Sequence, residues 1–274
     1  MFSASRILGC LLLFSGASLY AATPPLRVCA DPNNLPYSNQ QKQGFENQLA
    51  EMIAKDFGTQ VSYLWYPQRG KFFRNTLNSG ACDVVMSVPT GFQQAATTQP
   101  YYRSTYVFVS RRDRHLNIRS LDDPRLRHLR VGVHVLGDGD SSLPPVQSLI
   151  NRGIVRNLVG YSIFGNLAEK NPSADLIQAV SRGDVDAAVA WGPLAGYFSR
   201  HSTVPLDLTP IPDDPANPSL PFAFDMSIGV RKGDDALKNR LESELERRKP
   251  EIQSVLRDYG IPQLSLSAGS RGEY

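Results

Sequence analysis

Apolar residues in the first half of the chain fall at spacings that alternate between strand and helix. Residues 26–30, LRVCA, predict a buried strand, since Val and Cys suit a covered pleated surface. Residues 44–58 carry apolar side chains at helical spacing, whereas residues 59–66 alternate and are β-branched or aromatic. A shorter helix over residues 70–80 and a strand over residues 82–88 complete a β-α-β-α-β order, which predicts right-handed crossovers over a mainly parallel sheet.

The second half of the chain repeats this pattern. Strands are predicted in residues 129–135, 154–162 and 185–193, and helices over residues 141–153 and 174–184. Two similar units of alternating strands and helices predict an α/β protein with two lobes, each a mainly parallel sheet flanked by helices.

Two further strands connect the predicted lobes. Residues 104–112 and 224–234 share a pattern in which a strand runs into basic residues and an Asp, and residues 235–260 have a helical periodicity that Pro250 interrupts. Two strands that cross between lobes form a hinge, so the cleft between the lobes is the expected binding site. The turn formers of residues 31–37 follow the first strand and are expected to form one wall of that cleft, because ligands bind at the carboxyl edge of open α/β sheets.

The amino terminus predicts an export signal. One basic residue, Arg6, precedes the apolar run of residues 7–19, and small residues follow up to Ala22. A retained membrane anchor is the alternative, but the run is short for a bilayer span. A lipoprotein signal is not favoured, because the apolar run follows Cys10 instead of preceding it. We expect a soluble protein outside the cytoplasm, divided into a signal peptide (residues 1–22), lobe 1 (23–111 and 214–262), lobe 2 (112–213) and a polar tail (263–274).

Composition narrows the class of protein. Of the 274 residues, 41% are hydrophobic and 20% are charged, as in a folded globular chain. The net charge is only +3, with basic and acidic residues interleaved, so nucleic-acid binding gains no support. Export would leave Cys29 and Cys82 in an oxidising compartment. They can form a disulfide if their strands are parallel neighbours, and the alternative is two buried thiols.

The order of segments resembles the periplasmic solute-binding proteins of the amino-acid-binding type. The matching segments span about residues 26–262 and include LRVCADPNNLPY, GACDVVMSVPT, QPYY before STYVFVSRRD, GDVDAAVAWGP and SIGVRKGD. More narrowly, CADPNNLPYSN, WYPQRGKFFRNTL, PYYRSTYVFV and DAAVAWGPLAGYF resemble the MoxJ- and XoxJ-like proteins, the quinoprotein-dehydrogenase-associated branch. The resemblance implies a two-lobed fold like that of periplasmic binding proteins (type 2). It also implies a partner, which is a PQQ-dependent alcohol or methanol dehydrogenase or its cytochrome.

Both charged clamps of the amino-acid-binding members are missing. Those members hold the ligand carboxylate with an Arg that precedes PYY, and the ligand ammonium with an Asp at the end of the last lobe-2 strand. Residues 90–102, TGFQQAATTQPYY, contain no Arg or Lys, and Trp191 stands in the place of the Asp. A free α-amino acid is therefore not the expected ligand.

Aromatic and polar residues remain as candidates for the cleft. The expected ligand-binding residues are Asp31, Asn33, Tyr37, Arg69, Thr90, Tyr101, His134, Gly137, Asp138, Ser141 and Trp191. Arg69 can bind an acidic ligand or remain a solvated Arg at a helix start. Trp191 can stack on a ring or a peptide, or pack between the lobes. For Tyr101, packing in the core and hinge is the favoured interpretation over ligand contact.

The glycine-rich segment of residues 137–145 brings backbone amides to a helix start, which favours an anion. Asp138 and Asp140 oppose an anion and can attract a cation, but the segment lacks the downstream acidic ligand of a calcium loop. No metal or cofactor is predicted. No nucleophile lies beside a His in a recognisable motif, and Asp31 is the one candidate for a buried acid in the cleft, so we predict no enzyme.

These observations lead to one expected function and one alternative. The expected function is an exported, non-catalytic binding protein of a quinoprotein dehydrogenase system, which takes a small molecule or a dehydrogenase segment into the interlobe cleft. The alternative is the substrate-binding receptor of an ABC importer for an organic solute other than a free amino acid.

Overall fold

A computed structural model of the chain describes residues 23–135, 143–163 and 171–267. Within these ranges the strands are β1 (Leu26–Ala30), β2 (Asn33–Asn34), β3 (Ser38–Asn39), β4 (Val61–Trp65), β5 (Val84–Pro89), β6 (Ala96–Thr97), β7 (Tyr102–Arg111), β8 (Val131–Val135), β9 (Leu158–Ser162), β10 (Ala187–Trp191), β11 (Leu206–Pro210) and β12 (Ala223–Val230). The α-helices are α1 (Phe45–Asp56), α2 (Phe72–Asn75), α3 (Pro144–Asn151), α4 (Asp175–Arg182), α5 (Gly192–Arg200), α6 (Asp235–Arg247) and α7 (Lys249–Asp258).

One mixed sheet runs through both halves of the molecule, in the order β4-β1-β5-β12-β7-β10-β8-β9. The first three strands are parallel to one another, and so are the last three. Between these trios lie β12 and β7, which are antiparallel to each other and to their outer neighbours. The expected parallel sheets are thus joined through two antiparallel crossing strands.

Strand β7 belongs to both halves. Residues 102–105 pair with β12, and residues 106–110 pair with β10. The predicted hinge strand of residues 104–112 is therefore a continuous ten-residue strand. Because the sheet has no break, the lobe bounds at residues 111–112 and 213–214 stay predictions.

The hydrophobic core follows the pleat of the sheet. In the second half, Val107 and Val109 face a cluster that includes α4 and α5, while Phe108 faces an opposite cluster that includes α3. This alternation buries both faces of β7, as its nearly unbroken apolar sequence requires. In the first half, α1, α6 and α7 pack on β1, β5 and β12.

Three elements differ from the prediction. The helix expected over residues 70–80 is a single turn, α2, since polar residues and the positive-φ Gly80 follow it. Helix α5 and strand β11 were missed, because a Gly-Pro start and a terminal Pro look like loop signals. Pro at the first turn of a helix is compatible with helix formation.

The predicted break at Pro250 is confirmed, since α7 begins at Lys249 with Pro in its first turn.

A disulfide joins the two strands expected to carry it. Cys29 lies on β1, Cys82 lies just before the parallel neighbour β5, and their Cα atoms are 5.6 Å apart. The predicted pairing is confirmed, and the alternative of two free thiols is wrong. Both side chains belong to a small apolar cluster with Phe72, Leu77 and Val85.

An ion pair fixes the segment that leads back towards β12. The side chain of Asp214 is fully buried, and its two oxygens accept hydrogen bonds from Arg152 at 2.6 and 2.9 Å. Asn217 and the Ala216 amide donate to the same carboxylate at 2.8 and 3.0 Å. These donors hold the pKa of Asp214 well below its usual range.

The described ranges contain no helix that is both long and apolar enough for a bilayer span. The predicted signal peptide of residues 1–22 lies outside the described residues.

Candidate functional site

A cavity of about 370 Å³ lies where the two halves of the sheet meet. Its lining residues come from both halves and are Asn34, Tyr37, Glu46, Gln68, Ser87, Pro89, Tyr106, His134, Leu143, Ile163, Trp191, Leu194, Phe224 and Met226. A larger depression of about 820 Å³ lies elsewhere, between α6, α7 and residues 99–101. The smaller cavity is the candidate site, because it occupies the predicted cleft.

Three residues expected to bind a ligand line this cavity. They are Tyr37 from the loop after β1, His134 from β8 and Trp191 from the end of β10. Gly137, Asp138 and Ser141 were also expected there, and they lie outside the described residues. The other expected residues do not line the cavity, and their contacts show what they do instead.

Asp31 holds the loop together from behind the cavity wall. Its carboxylate accepts hydrogen bonds from the backbone amides of Asn33 at 2.8 Å and Gln68 at 2.7 Å. Asn34 and Gln68, which line the cavity, are thereby fixed next to each other, with a side-chain hydrogen bond of 3.3 Å between them. Asn33 extends towards the second half, where its side-chain oxygen accepts from the Asn171 amide at 3.4 Å.

Thr90 and Tyr101 make contacts within the first half. The Thr90 hydroxyl lies 2.7 Å from the Ser227 hydroxyl and donates to the Asp225 carbonyl at 3.1 Å. Tyr101 is 6% exposed and donates to the Met86 carbonyl at 2.9 Å, which supports the packing interpretation. Arg69 is exposed at the segment before α2.

Glu46 is the acidic residue of the cavity, and sequence reasoning missed it. It lies in the first turn of α1, whose amides are anchored on the preceding loop: Phe45 donates to the Pro36 carbonyl at 2.8 Å and Glu46 to the Tyr37 carbonyl at 3.0 Å. Gly44 permits this approach, because a Cβ there would lie 1.9 Å from the Tyr37 carbonyl oxygen. The same contact therefore positions Tyr37 and Glu46 together.

The environment of Glu46 is poor in compensating charge. Burial raises the pKa of its carboxyl to about 7, the Ser87 hydroxyl opposes this through a hydrogen bond, and the negative charge of Asp31 adds to it. No Lys or Arg is among the described residues that line the cavity. Of the two acids near the cleft, Glu46 and not Asp31 is the one exposed to a ligand.

Aromatic rings form the wall opposite the loop. Trp191 makes edge contacts with Tyr106, at 5.1 Å between ring centroids, and with Phe224, at 5.8 Å. The Trp191 indole donates a side-chain hydrogen bond to Tyr37, whose pKa burial raises well above its usual value. Trp191 thus packs between the two halves while also facing the cavity.

His134 adds a polar group with no regular partner. The residue is 2% exposed, and neither ring nitrogen makes a hydrogen bond of regular geometry to a described residue. Burial lowers the pKa of the imidazole to about 4, and the nearby Ser173 backbone only weakly opposes this, so the ring is neutral near pH 7. A neutral imidazole can offer a ligand one donor and one acceptor. Among the described residues there is no cluster of His, Cys, Asp and Glu side chains suited to a metal ion.

Comparison with known proteins identifies the family and supports the fold. Residues 26–259 match the family of bacterial extracellular solute-binding proteins, family 3. Protein MoxJ of Methylorubrum extorquens is 33% identical over 257 residues, which cover 88% of this chain and 82% of that protein. The crystal structure of periplasmic binding protein XoxJ from Methylobacterium extorquens AM1 is 32% identical with a TM-score of 0.72, and covers 88% of this chain and 100% of its own.

The crystal structure of MxaJ from Methlophaga aminisulfidivorans MPT is 30% identical with a TM-score of 0.73, and covers 87% of this chain and 100% of its own. These comparisons confirm the resemblance drawn from the sequence and the two-lobed α/β fold.

Proposed function

The chain belongs to the bacterial extracellular solute-binding proteins of family 3, and from that premise we propose that it is an exported, non-catalytic binding protein of a quinoprotein alcohol dehydrogenase system. The observation that carries the proposal is similarity to MoxJ, XoxJ and MxaJ across most of the chain. The composition of the cavity also supports the proposal over an amino-acid receptor, since its described lining has no basic residue to hold the carboxylate of an amino acid. The place of action is the periplasm.

The cavity is the proposed point of contact. Its described lining is mostly apolar and aromatic, with a few polar groups contributed by both halves, as is usual for ligand-binding clefts. Its volume of about 370 Å³ suits a small molecule or one or two side chains of a protein segment. A dehydrogenase segment is the proposed occupant, and a small molecule of the same system is the alternative.

Association with the dehydrogenase tests this function. The purified chain is immobilised, and binding of a PQQ-dependent alcohol dehydrogenase and of its cytochrome is measured by biolayer interferometry at several salt concentrations. Trp191→Leu should weaken association, because it removes the central ring of the aromatic wall. Trp65→Leu is the matched control, since Trp65 stacks on Tyr63 at 4.6 Å and does not line the cavity. Circular dichroism verifies that both variants fold. Absence of association at every salt concentration would contradict the partnership.

An importer receptor is the second candidate, favoured by the family and by the small volume of the cavity. A receptor gains stability with one small ligand through binding linkage, whereas an accessory protein gains stability with its protein partner. A thermal-shift screen of organic solutes therefore separates the two functions. Turnover of a solute that disappears in Glu46→Gln would contradict both, because it would identify an enzyme.

A further inference from the structure

Glu46 makes the cavity selective in charge. Glu46 lines the cavity, and within the described part of the chain no Lys or Arg of the lining is there to pair with it. Asp31 adds a second negative charge nearby. The lining contributes no positive charge from its described residues, and His134 is neutral at the pH of most growth media. Above its pKa of about 7, Glu46 is ionised, and the charges of the described residues at the cavity are then negative without a basic partner in the described lining.

The opposite wall suits the same kind of ligand. Trp191, Tyr106 and Phe224 lie at 5.1 and 5.8 Å between ring centroids and meet at steep angles of 62° and 67°. Rings in such an arrangement present faces and edges around a shared space, and aromatic faces attract cations, most strongly where water is excluded. Tyr37 links the two walls, since its hydroxyl accepts from Trp191 and its ring lies near Glu46.

An independent observation indicates that a polar ligand completes the cavity. His134 is 2% exposed and lines the cavity. Its ring makes no hydrogen bond of regular geometry to a described residue, and its hydrogen-bonding contact with the Ser173 backbone engages one ring nitrogen at most. Buried polar side chains without a partner are rare in folded proteins, because each costs the free energy of lost hydration. A ligand with both a hydrogen-bonding group and a positive charge would satisfy His134 and Glu46 together.

We propose that the cavity binds an organic ammonium group, with the Glu46 carboxylate as counter-ion and the Trp191 ring as the aromatic face that covers the cation. The group can belong to a free amine or to a lysine side chain of the dehydrogenase, and the second source rests on the proposed function. Either source differs from an α-amino acid, since the cavity's described lining offers a carboxylate no basic partner.

Titration calorimetry with n-butylammonium at pH 8, above the pKa of about 7 of Glu46, tests the charge. This probe has the length of a lysine side chain, and 1-butanol is its neutral match. We expect the wild-type chain to bind butylammonium with a Kd of about 1 mM or tighter, and 1-butanol about tenfold more weakly or not at all. Glu46→Gln should weaken butylammonium binding by about tenfold or more, because it removes the charge while preserving shape.

Glu51→Gln is the control on the same helix. Glu51 is exposed and pairs with Lys42 at 3.0 Å, away from the cavity, so its variant should bind butylammonium like the wild type. Equal affinity for butylammonium and 1-butanol would overturn the proposal. So would an affinity that Glu46→Gln leaves unchanged, or absence of butylammonium binding.

A second arm identifies the source of the ammonium group. If butylammonium and Glu46→Gln each weaken association with the dehydrogenase, and acetylation of the dehydrogenase lysines does the same, the source is a lysine side chain. If butylammonium binds while dehydrogenase association is absent or unaffected, the source is a free amine. If the dehydrogenase associates but butylammonium does not bind, the proposed function stands and the ammonium site is wrong.

Discussion

Replacing Glu46 with Gln should make the protein more stable at alkaline pH and leave it nearly unchanged at acid pH. Burial raises the pKa of Glu46 to about 7 from an ordinary value of 4.5. The folded protein therefore binds this proton more tightly than the unfolded chain does. The resulting contribution to stability is fully present below about pH 4.5 and is lost as the pH rises through about 7. Gln cannot ionise, so this pH-dependent loss of stability is absent in Glu46→Gln.

The magnitude follows from the two pKa values. Between about pH 5 and pH 8, the wild type should lose about 2–3 kcal/mol of unfolding free energy relative to Glu46→Gln. The positive end of α1 opposes this by favouring a charged carboxylate in the first turn, but that effect is only about 0.3–1 kcal/mol. Desolvation is therefore the larger effect, and the sign of the prediction does not change.

Urea unfolding of both variants at the two pH values measures the difference, with tryptophan fluorescence and circular dichroism as independent probes. All other titrating groups are common to the two proteins and cancel in the comparison. Glu51→Gln serves as the control and should show no comparable change with pH. A difference between wild type and Glu46→Gln that is the same at both pH values would refute the reasoning, as would a carboxyl carbon of Glu46 that titrates near 4.5 by NMR.

Three further predictions concern the framework of the site. Asp214→Asn should cost more unfolding free energy than Asp207→Asn, about 2–3 kcal/mol against less than about 1 kcal/mol, because it removes the buried partner of Arg152 and leaves that Arg paired with the exposed Asp122 alone. Equal costs in urea unfolding would contradict this. Reduction of the disulfide should lower the free energy of unfolding by about 4 kcal/mol, because the bond closes a loop between cysteines 53 residues apart and so restricts the unfolded chain. An unchanged melting temperature under reductant would be evidence against this. Gly44→Ala should weaken butylammonium binding more than Gly183→Ala, because a Cβ at residue 44 would collide with the Tyr37 carbonyl beside the cavity. At Gly183 a Cβ meets no atom within 4 Å, so that variant carries only the backbone strain of a φ of 79°, away from the cavity lining, and calorimetry that shows equal losses would contradict this.

The order of strands and helices was predictable from periodicity. Helix α1 and strands β1, β4, β5 and β8 all lie where apolar spacing indicated them. Helix α5 was not found, because its Gly192-Pro193 start follows a strand directly and looks like a loop signal. The edge strand β11 was not found either, since it lies in a Pro-rich region and is held by pairing with β7 instead of by its own pattern.

The site was predictable only in part. Trp191 was expected in the cleft because it stands at the strand end where the amino-acid-binding members carry an Asp, and Tyr37 because it follows the first strand. Both line the cavity. Asp31 was expected for the same reason, but its carboxylate is occupied by two backbone amides. Asp31 therefore stabilises the loop instead of contacting a ligand, and the order of residues in the sequence does not reveal these hydrogen bonds.

By itself, the sequence determined the alternation of elements and the positions of the two cysteines, because these depend on residue type and on spacing along the chain. Its resemblance to the amino-acid-binding proteins indicated that both charged clamps are missing. Only the tertiary structure decided that Glu46 is the acid of the cavity. In the sequence it looks like an ordinary first-turn carboxylate that complements the helix dipole. Its burial arises when a loop from before the helix and Ser87 from a distant strand close around it. Desolvation depends on such contacts between segments that are far apart in the chain, and the apolar spacing within one segment does not predict them.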